Sequence, residues 1–136
     1  YRLQPGFINY SLKAEGFLYW LVDGYQKLQD PWGDITVNPD KYGDTWVRDG
    51  MLFYPSEDVG FENGFVPSLR AKAVRDGFED YELCHQIAAS GKGAMADHYS
   101  NIVGKDFKCW TDNPEELLLN RKELGNAFSR WCANED

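Results

Sequence analysis

Two short apolar segments constrain the fold of this chain more than any other feature. Phe17–Val22 is a continuous apolar run, preceded by glycine and followed by Asp-Gly, and Gly50–Pro55 is a second run that a proline ends. Their length and their aromatic and branched content predict strands buried on both faces, as in parallel sheets. Because two strands alone cannot form a sheet with both faces covered, we expect them to belong to a larger sheet, such as that of a barrel.

Helical patterns alternate with these runs, which predicts an α/β fold. A short helix is expected over Pro5–Ala14, with Phe7, Ile8 and Leu12 buried on one side. A longer helix begins after Ser68, a favourable N-cap, and ends at the glycines that follow Ser90. Its predicted buried stripe, at spacings of three and four residues, consists of Val74, Phe78, Tyr81, Cys84 and Ala88.

Two more helices follow. One is predicted over Ala94–Val103, and the last starts at Pro114, with Asn113 as its cap and two glutamates in its first turn. The predicted buried stripe of the last helix consists of Leu117, Leu124, Phe128 and Trp131, with Arg121, Lys122 and Arg130 on the other side. Three segments are expected to be loops or irregular: Tyr25–Asp49, Ser56–Val66 and Gly104–Thr111. A loop as long as Tyr25–Asp49 within a compact domain is usually functional.

Composition excludes several classes of protein. The chain has 136 residues, of which 15% are aromatic, so it can bury a core and is not intrinsically disordered. Its formal net charge of −8 disfavours binding to nucleic acids and to anionic membranes. No apolar run reaches the ~18 residues of a membrane span.

The cysteine and histidine spacings predict neither a metal site nor a redox dithiol. Cys84, Cys109 and Cys132 form no CxxC pair, and His85 and His98 are isolated. Three buried thiols are one interpretation, and a Cys109–Cys132 disulfide in a secreted protein is another. No cofactor and no catalytic residue of a triad type are predicted.

Five short sequence motifs follow one another along the chain: Gly16–Trp20, Asp30–Trp32, Gly50–Pro55, Pro67–Arg70 and Arg75–Glu82. Together they resemble the C-terminal part of the catalytic barrel of glycoside hydrolase family 123 and its uncharacterised relatives. The resemblance implies the last two β/α units of a (β/α)₈ barrel. A whole barrel takes ~250 residues. We therefore expect residues 1–90 to be the C-terminal end of such a barrel and residues 91–136 to be a helical extension that packs on it.

The resemblance also implies a reaction. The family acts on β-linked N-acetylgalactosaminides and resembles enzymes in which the 2-acetamido oxygen of the substrate attacks the anomeric carbon. An adjacent Asp-Glu pair assists: the Asp orients the acetamido group, and the Glu protonates the leaving oxygen. By resemblance that pair precedes the matched region, so this chain is expected to supply sugar-binding aromatics without the catalytic pair.

Partners and compartment follow from the same resemblance. The expected partners are an N-acetylhexosaminide glycan and the remainder of the barrel upstream of Tyr1, and the expected compartment is extracellular or periplasmic. Lys72 departs from the family pattern, which usually has an acidic residue two positions after the arginine of the Pro67–Arg70 motif. An inactive carbohydrate-binding or structural barrel protein is therefore the alternative.

Two neighbouring aromatic residues are candidates for the sugar site. Trp20 ends the first predicted strand, where barrel active sites lie, and its indole could stack on a sugar or pack in the core. Tyr19 points the opposite way, so one of the two faces the barrel interior and the other the helices. Trp32, beside carboxylates in the long loop, could bind sugar or simply order its loop.

Two polar residues complete the candidate set. Tyr54 ends the second predicted strand, so its hydroxyl could bind substrate, orient a carboxyl group or bond to backbone. Arg70, in the first turn of the following helix, could hold a carboxylate behind the site, or form a surface salt bridge worth ~0–1 kcal/mol.

The acidic stretch of the same helix has a structural interpretation. Asp76, Glu79, Asp80 and Glu82 are expected on a solvated face, with Lys72–Asp76 and Arg75–Glu79 pairs four residues apart. Gly77 is expected to allow close packing of the helix on the sheet, since a mid-helix glycine otherwise costs ~1 kcal/mol.

Overall fold

The computed structural model describes residues 1–19, 21–23, 51–62 and 64–133. Trp20, Trp32 and the whole of the predicted loop Tyr25–Asp49 lie outside the described residues. The chain divides into two compact units, one formed by Tyr1–Phe17 with Ala73–Asp136 and the other by Leu18–Lys72. The predicted division at residue 90 concerns the relation to a barrel and stays a prediction.

The Leu18–Lys72 unit contains a small antiparallel hairpin. Strand β1 (Phe53–Pro55) pairs with strand β2 (Phe65–Pro67), so that Tyr54 lies opposite Val66. A 3₁₀ turn, Glu57–Val59, lies between the two strands. The second predicted strand is thus confirmed in its last residues. The prediction of a plain loop over Ser56–Val66 was wrong, since the end of that segment forms β2.

The prediction of the first strand is wrong for the residues of that segment that the structure describes. Residues 17–19 and 21–23, the described part of that segment, form no strand and make one isolated antiparallel bridge, between Asp23 and Met51. Leu18 is 88% exposed, so the run is not buried on both faces. A strand needs a neighbour paired along its length and a covered face, and an apolar composition alone supplies neither.

Strand pairing elsewhere is also antiparallel. In the other unit, strand β3 (Gly104–Asp106) pairs with strand β4 (Cys109–Trp110), in a segment that was predicted to be irregular. All the pairings between described residues are antiparallel, whereas the sequence predicted a parallel sheet. The chain is a mixture of helices and small sheets, which agrees with part of an α/β domain, and the barrel itself stays a prediction.

The N-terminal helix forms where it was expected. A helical turn, Gln4–Ile8, is kinked at Gly6 (φ −97°, ψ −112°) and continues into one α-helical turn, α1 (Asn9–Ser11). Phe7 and Ile8 are buried as predicted, but Leu12 is 44% exposed because the helix ends before it.

The long helix α2 (Leu69–Ile87) begins as predicted, because the Ser68 hydroxyl accepts a hydrogen bond from the Ala71 amide at 3.1 Å. The turn Ala88–Lys92 follows it and is kinked at Gly91, where φ is +83°. The buried residues of α2 are Val74, Gly77, Asp80, Cys84 and Ile87. The predicted stripe was therefore partly wrong: Phe78 is 46% exposed and rests edge-on against Phe17.

The two C-terminal helices form where the sequence predicts them. Helix α3 spans Gly93–Val103, and helix α4 spans Pro114–Cys132, with the Asn113 side chain accepting a hydrogen bond from the Glu115 amide at 3.0 Å. Side chains from the N-terminal helix and from α2, α3 and α4 form one core in this unit. Its buried members are Phe7, Tyr10, Cys84, Ile87, Ala96, Val103, Leu117 and Leu124.

Two further expectations need correction. Gly77 does allow close packing, but α2 approaches the N-terminal segment at Arg2 and Pro5 rather than a sheet. Cys84 is buried, whereas Cys109 and Cys132 are exposed, and all three thiols are free. Neither the interpretation as three buried thiols nor the Cys109–Cys132 disulfide therefore holds.

Within residues 1–19, 21–23, 51–62 and 64–133, every helix is too short or too polar to cross a membrane.

Candidate functional site

The Leu18–Lys72 unit brings two of the sequence-predicted site residues into contact. Arg70 lies in the first turn of α2, and its Nη2 donates a hydrogen bond of 2.9 Å to the hydroxyl oxygen of Tyr54 in β1. The two residues are 16 positions apart in the chain. The hairpin and the start of α2 thus place a guanidinium against a phenol, both half-buried.

Arg70 is fixed at a second point. Its Nε and Nη2 donate to the carbonyl oxygen of Met51 at 3.1 and 2.9 Å. Met51 is only 2% exposed, and its carbonyl also accepts a longer bond of 3.4 Å from the Ser68 hydroxyl. Because a guanidinium is planar, these bonds restrict where its remaining edge can point.

The start of α2 is tied to β1 by backbone as well. The Ser68 amide donates to the Leu52 carbonyl at 2.8 Å, and the Val22 carbonyl accepts from the amides of Leu52 and Phe53 at 2.9 and 3.0 Å. The Arg70–Tyr54 contact is therefore built on hydrogen-bonded backbone on both sides. The Ser68 hydroxyl acts twice, as the cap of α2 and as a donor to the Met51 carbonyl, which precedes β1.

This arrangement can orient a hydroxyl group for a polar ligand. A tyrosine combines an apolar ring with one hydroxyl, a combination that suits the mixed surface of a sugar. The hydroxyl of Tyr54 is held by a charged donor, and hydrogen bonds to charged groups are stronger than neutral ones. The described contacts of Arg70 and Tyr54 suit the recognition of a polar ligand.

The other predicted site residues are Tyr19, Trp20 and Trp32. Tyr19 is half-buried in the segment that leads to Val22. Trp20 and Trp32 lie outside the described residues, so their roles stay predictions.

A buried ion cluster in the other unit was missed by the sequence analysis. Asp80 is fully buried, and its carboxylate accepts hydrogen bonds from Arg2 Nε at 2.7 Å, Arg2 Nη2 at 3.1 Å and Arg121 Nε at 2.6 Å. The expectations of a solvated Asp80 and of an outward Arg121 were both wrong. The hydrogen-bonded carboxylate also raises the pKa of Arg2. The spacing of Gly77, Asp80, Cys84 and Ile87, three, four and three residues apart, was the available signal.

The remaining acidic residues of α2 are exposed or half-exposed, as predicted. Arg75 contacts Glu79 at 3.5 Å and donates to Asp76 at 2.7 Å, and that hydrogen bond lowers the pKa of Asp76. Among the residues that the structure describes, no three His, Cys, Asp or Glu side chains are arranged to hold a metal ion.

Helices combined with small sheets agree with part of an α/β domain. The family model described as the catalytic domain of glycoside hydrolase 123 matches residues 4–87. Because this match covers more than half of the 136 residues, the chain belongs to glycoside hydrolase family 123. The resemblance noted in the sequence is thus confirmed, and the matched region includes both Tyr54 and Arg70. No curated protein matches the chain significantly.

Proposed function

We propose that this chain is the C-terminal portion of a glycoside hydrolase-like protein that acts on β-linked N-acetylgalactosaminides with assistance from the substrate's acetamido group. In this proposal it contributes the last two β/α units of a (β/α)₈ barrel and the residues that contact the sugar. The Asp-Glu pair that assists the reaction lies in sequence that precedes Tyr1. The proposed compartment is extracellular or periplasmic.

The observation that carries the proposal is the family match over residues 4–87, which suggests a carbohydrate ligand. The contact between Arg70 and Tyr54 supports it, because it gives the matched region an oriented hydroxyl beside an aromatic ring. Tyr54 is accordingly the sugar-contacting residue with the best-defined surroundings. Tyr19, Trp20 and Trp32 are proposed as further aromatic contacts.

The adjacent carboxylates within the chain are not proposed as the catalytic pair. Glu57-Asp58 and Glu79-Asp80 both have the reverse order. Asp80 is also fully buried between two arginines. A carboxylate that has no access to solvent and accepts three hydrogen bonds cannot reach a substrate.

Lys72 favours a second candidate function, that of an inactive carbohydrate-binding or structural protein. It is exposed and positively charged where the family pattern usually has an acidic residue. An arginine–carboxylate pair that depends on that acidic residue cannot form with lysine in its place.

One experiment separates the two functions. The 136-residue chain and a longer polypeptide that also contains the preceding sequence are each incubated with an aryl N-acetyl-β-galactosaminide, and phenol release is measured. Binding of N-acetylgalactosamine is measured in parallel, with Tyr54→Phe as the matched variant.

The proposal predicts that both polypeptides bind the sugar and that only the longer one releases phenol. Binding without turnover by either polypeptide favours the inactive protein. Turnover by the 136-residue chain without the preceding sequence contradicts the proposed position of the catalytic pair. If neither polypeptide binds the sugar, the proposed carbohydrate ligand is contradicted.

A further inference from the structure

Asp80 is held from both sides of the region that the family model matches. It lies within residues 4–87, whereas Arg2 precedes that region and Arg121 follows it. Both arginines donate to the same carboxylate oxygen, Oδ1, Arg2 through Nη2 at 3.1 Å and Arg121 through Nε at 2.6 Å. The N-terminal segment and α4 therefore meet at one atom of α2.

The N-terminal segment, residues 1–8, packs against α2 backbone to backbone. A Cβ atom at Gly6 would lie 2.9 Å from the carbonyl oxygen of Gly77 and 3.3 Å from Asp80 Cβ. A Cβ atom at Gly77 would lie 2.7 Å from Pro5 Cγ. Because surfaces that fit this closely do not deform gradually, the segment has two states, seated on α2 or detached from it.

The N-terminal segment is also part of the cover over Asp80. The Asp80 side chain is fully buried, and Gly6 lies close to its Cβ atom. A buried carboxylate that loses one guanidinium has to replace the lost hydrogen bond with a bond to water. Water can reach Asp80 when the segment moves away, so loss of the Arg121 bond favours the detached state. In the opposite direction, detachment of Arg2 leaves Arg121 beside a hydrated carboxylate, and ion pairs in water contribute little.

We infer that Asp80 is a latch, which seats the N-terminal segment and α4 on α2 together, so that loosening of either one releases the other. Such coupling is reciprocal, because one free energy is shared by the two contacts. The latch gives a role to residues beyond the family match, since α4 keeps the N-terminal segment in place. It is independent of what the chain binds.

Native-state hydrogen exchange of the 136-residue chain tests the latch, because local opening exposes amides without global unfolding. Deuterium uptake is measured by mass spectrometry at several urea concentrations below the unfolding transition, for fragments that cover residues 1–14, α2 and α4. The variants are Arg121→Met and Arg2→Met. Lys122→Met is the matched control, because Lys122 is the next residue of α4 after Arg121 and is exposed.

In the unmodified chain, residues 1–14 and α4 should exchange with one shared free energy of opening, which lies below that of α2. Arg121→Met should accelerate exchange of residues 1–14 about tenfold, and Arg2→Met should accelerate exchange of α4 about tenfold, as expected for loss of a hydrogen bond to a charged group. Lys122→Met should change either rate by less than about twofold. If Arg121→Met does not fold, the effect of Arg2→Met on α4 decides alone.

Two results overturn the latch. In the first, each arginine substitution accelerates exchange only in its own element or in none, which would make the two contacts to Asp80 independent. In the second, α2 exchanges with the same free energy of opening as residues 1–14 and α4, so that the three elements open only as a whole and no separate latch exists.

Discussion

Arg2 and Asp80 are 78 positions apart and form a hydrogen-bonded ion pair, in which Arg2 Nε donates to Asp80 Oδ2 at 2.7 Å. Arg121 donates to the other oxygen of the same carboxylate at 2.6 Å. One buried carboxylate therefore joins the N-terminal segment, α2 and α4. Since Arg2 and Arg121 keep 20% and 39% of their side chains exposed, the arginines retain contact with water while Asp80 does not.

Replacing Asp80 by Asn tests the cluster. The asparagine NH₂ group would face guanidinium N–H donors, and one acceptor oxygen would be lost in a buried place. We expect the free energy of unfolding, measured by urea denaturation, to fall by about 2–4 kcal/mol. Glu79→Gln, next to it on the exposed face, should change that free energy by less than about 0.5 kcal/mol. Similar losses for the two variants would show that the cluster contributes nothing beyond an exposed pair.

Gly77 is predicted to tolerate no side chain. A Cβ atom there would lie 2.4 Å from the Arg2 carbonyl oxygen and 2.7 Å from Pro5 Cγ, so α2 would have to move away from the N-terminal segment. Gly77→Ala should therefore destabilise the chain by about 1–3 kcal/mol in thermal unfolding.

Gly125 provides the matched control for Gly77. It lies inside α4, and a Cβ atom at this position would meet nothing within 4 Å. Gly125→Ala should therefore stabilise the chain by about 0.5–1 kcal/mol through helix propensity. Stabilisation by both substitutions would contradict the close approach at Gly77.

Cys84 makes stability depend on pH in the alkaline range. Burial raises the pKa of its thiol from 9.0 to about 12. The folded chain holds this proton more tightly than the unfolded chain. The stabilisation that the protonated thiol contributes to the folded state is therefore fully present below pH ~9 and is lost as the pH rises toward 12. Between pH ~8 and pH ~10 the loss from Cys84 should be about 1.4 kcal/mol.

The comparison with Cys84→Ala isolates this effect, since Tyr10, whose pKa burial raises to about 12, is present in both chains. Urea denaturation at the two pH values should show a smaller loss for Cys84→Ala than for the unmodified chain. Equal losses would contradict the burial of the thiol.

Lys13 occupies a backbone position that usually holds glycine. Its φ is +56°, and the bonds from Lys13 N to Tyr10 O and from Ala14 N to Asn9 O form a Schellman motif at the end of α1. Its ammonium contacts Asp97 and lies 4.3 Å from the centre of the Tyr10 ring.

Two substitutions at Lys13 separate the backbone from the side chain. Both Lys13→Ala and Lys13→Gly remove the ammonium, but only glycine adopts the left-handed region without steric strain. Lys13→Gly should therefore be more stable than Lys13→Ala by about 1 kcal/mol in chemical denaturation. Equal stability of the two variants would contradict the left-handed conformation.

Local signals explain which parts of the fold could be predicted from sequence. Ser68 and Asn113 cap the helices that follow them through bonds to residues two or three positions away. Such bonds depend only on neighbouring residues, so sequence patterns capture them. The starts of α2 and α4 were predicted correctly for that reason.

Non-local contacts explain the failures. The rotation of α2 that buries Asp80 depends on Arg2 and on the close approach at Gly77, which no pattern within the helix reveals. The segment after Gly16 was predicted to be a strand from its apolar composition, but pairing is decided by a distant partner. β2 was missed because it is short and ends in a proline, which argues against a strand.

The candidate site was predicted as separate residues rather than as a contact. Tyr54 and Arg70 were selected for their places after a strand and in a helix turn. Their hydrogen bond depends on how Met51 and Ser68 join the two elements, which is a property of the fold.

The most direct test of the account is whether a sugar lies against Tyr54. Intermolecular nuclear Overhauser effects are measured between N-acetylgalactosamine and the chain with ¹³C-labelled tyrosine rings. The account predicts nuclear Overhauser effects between protons of N-acetylgalactosamine and ring protons of Tyr54. Contacts only to other tyrosines, or none at saturating sugar, would contradict it.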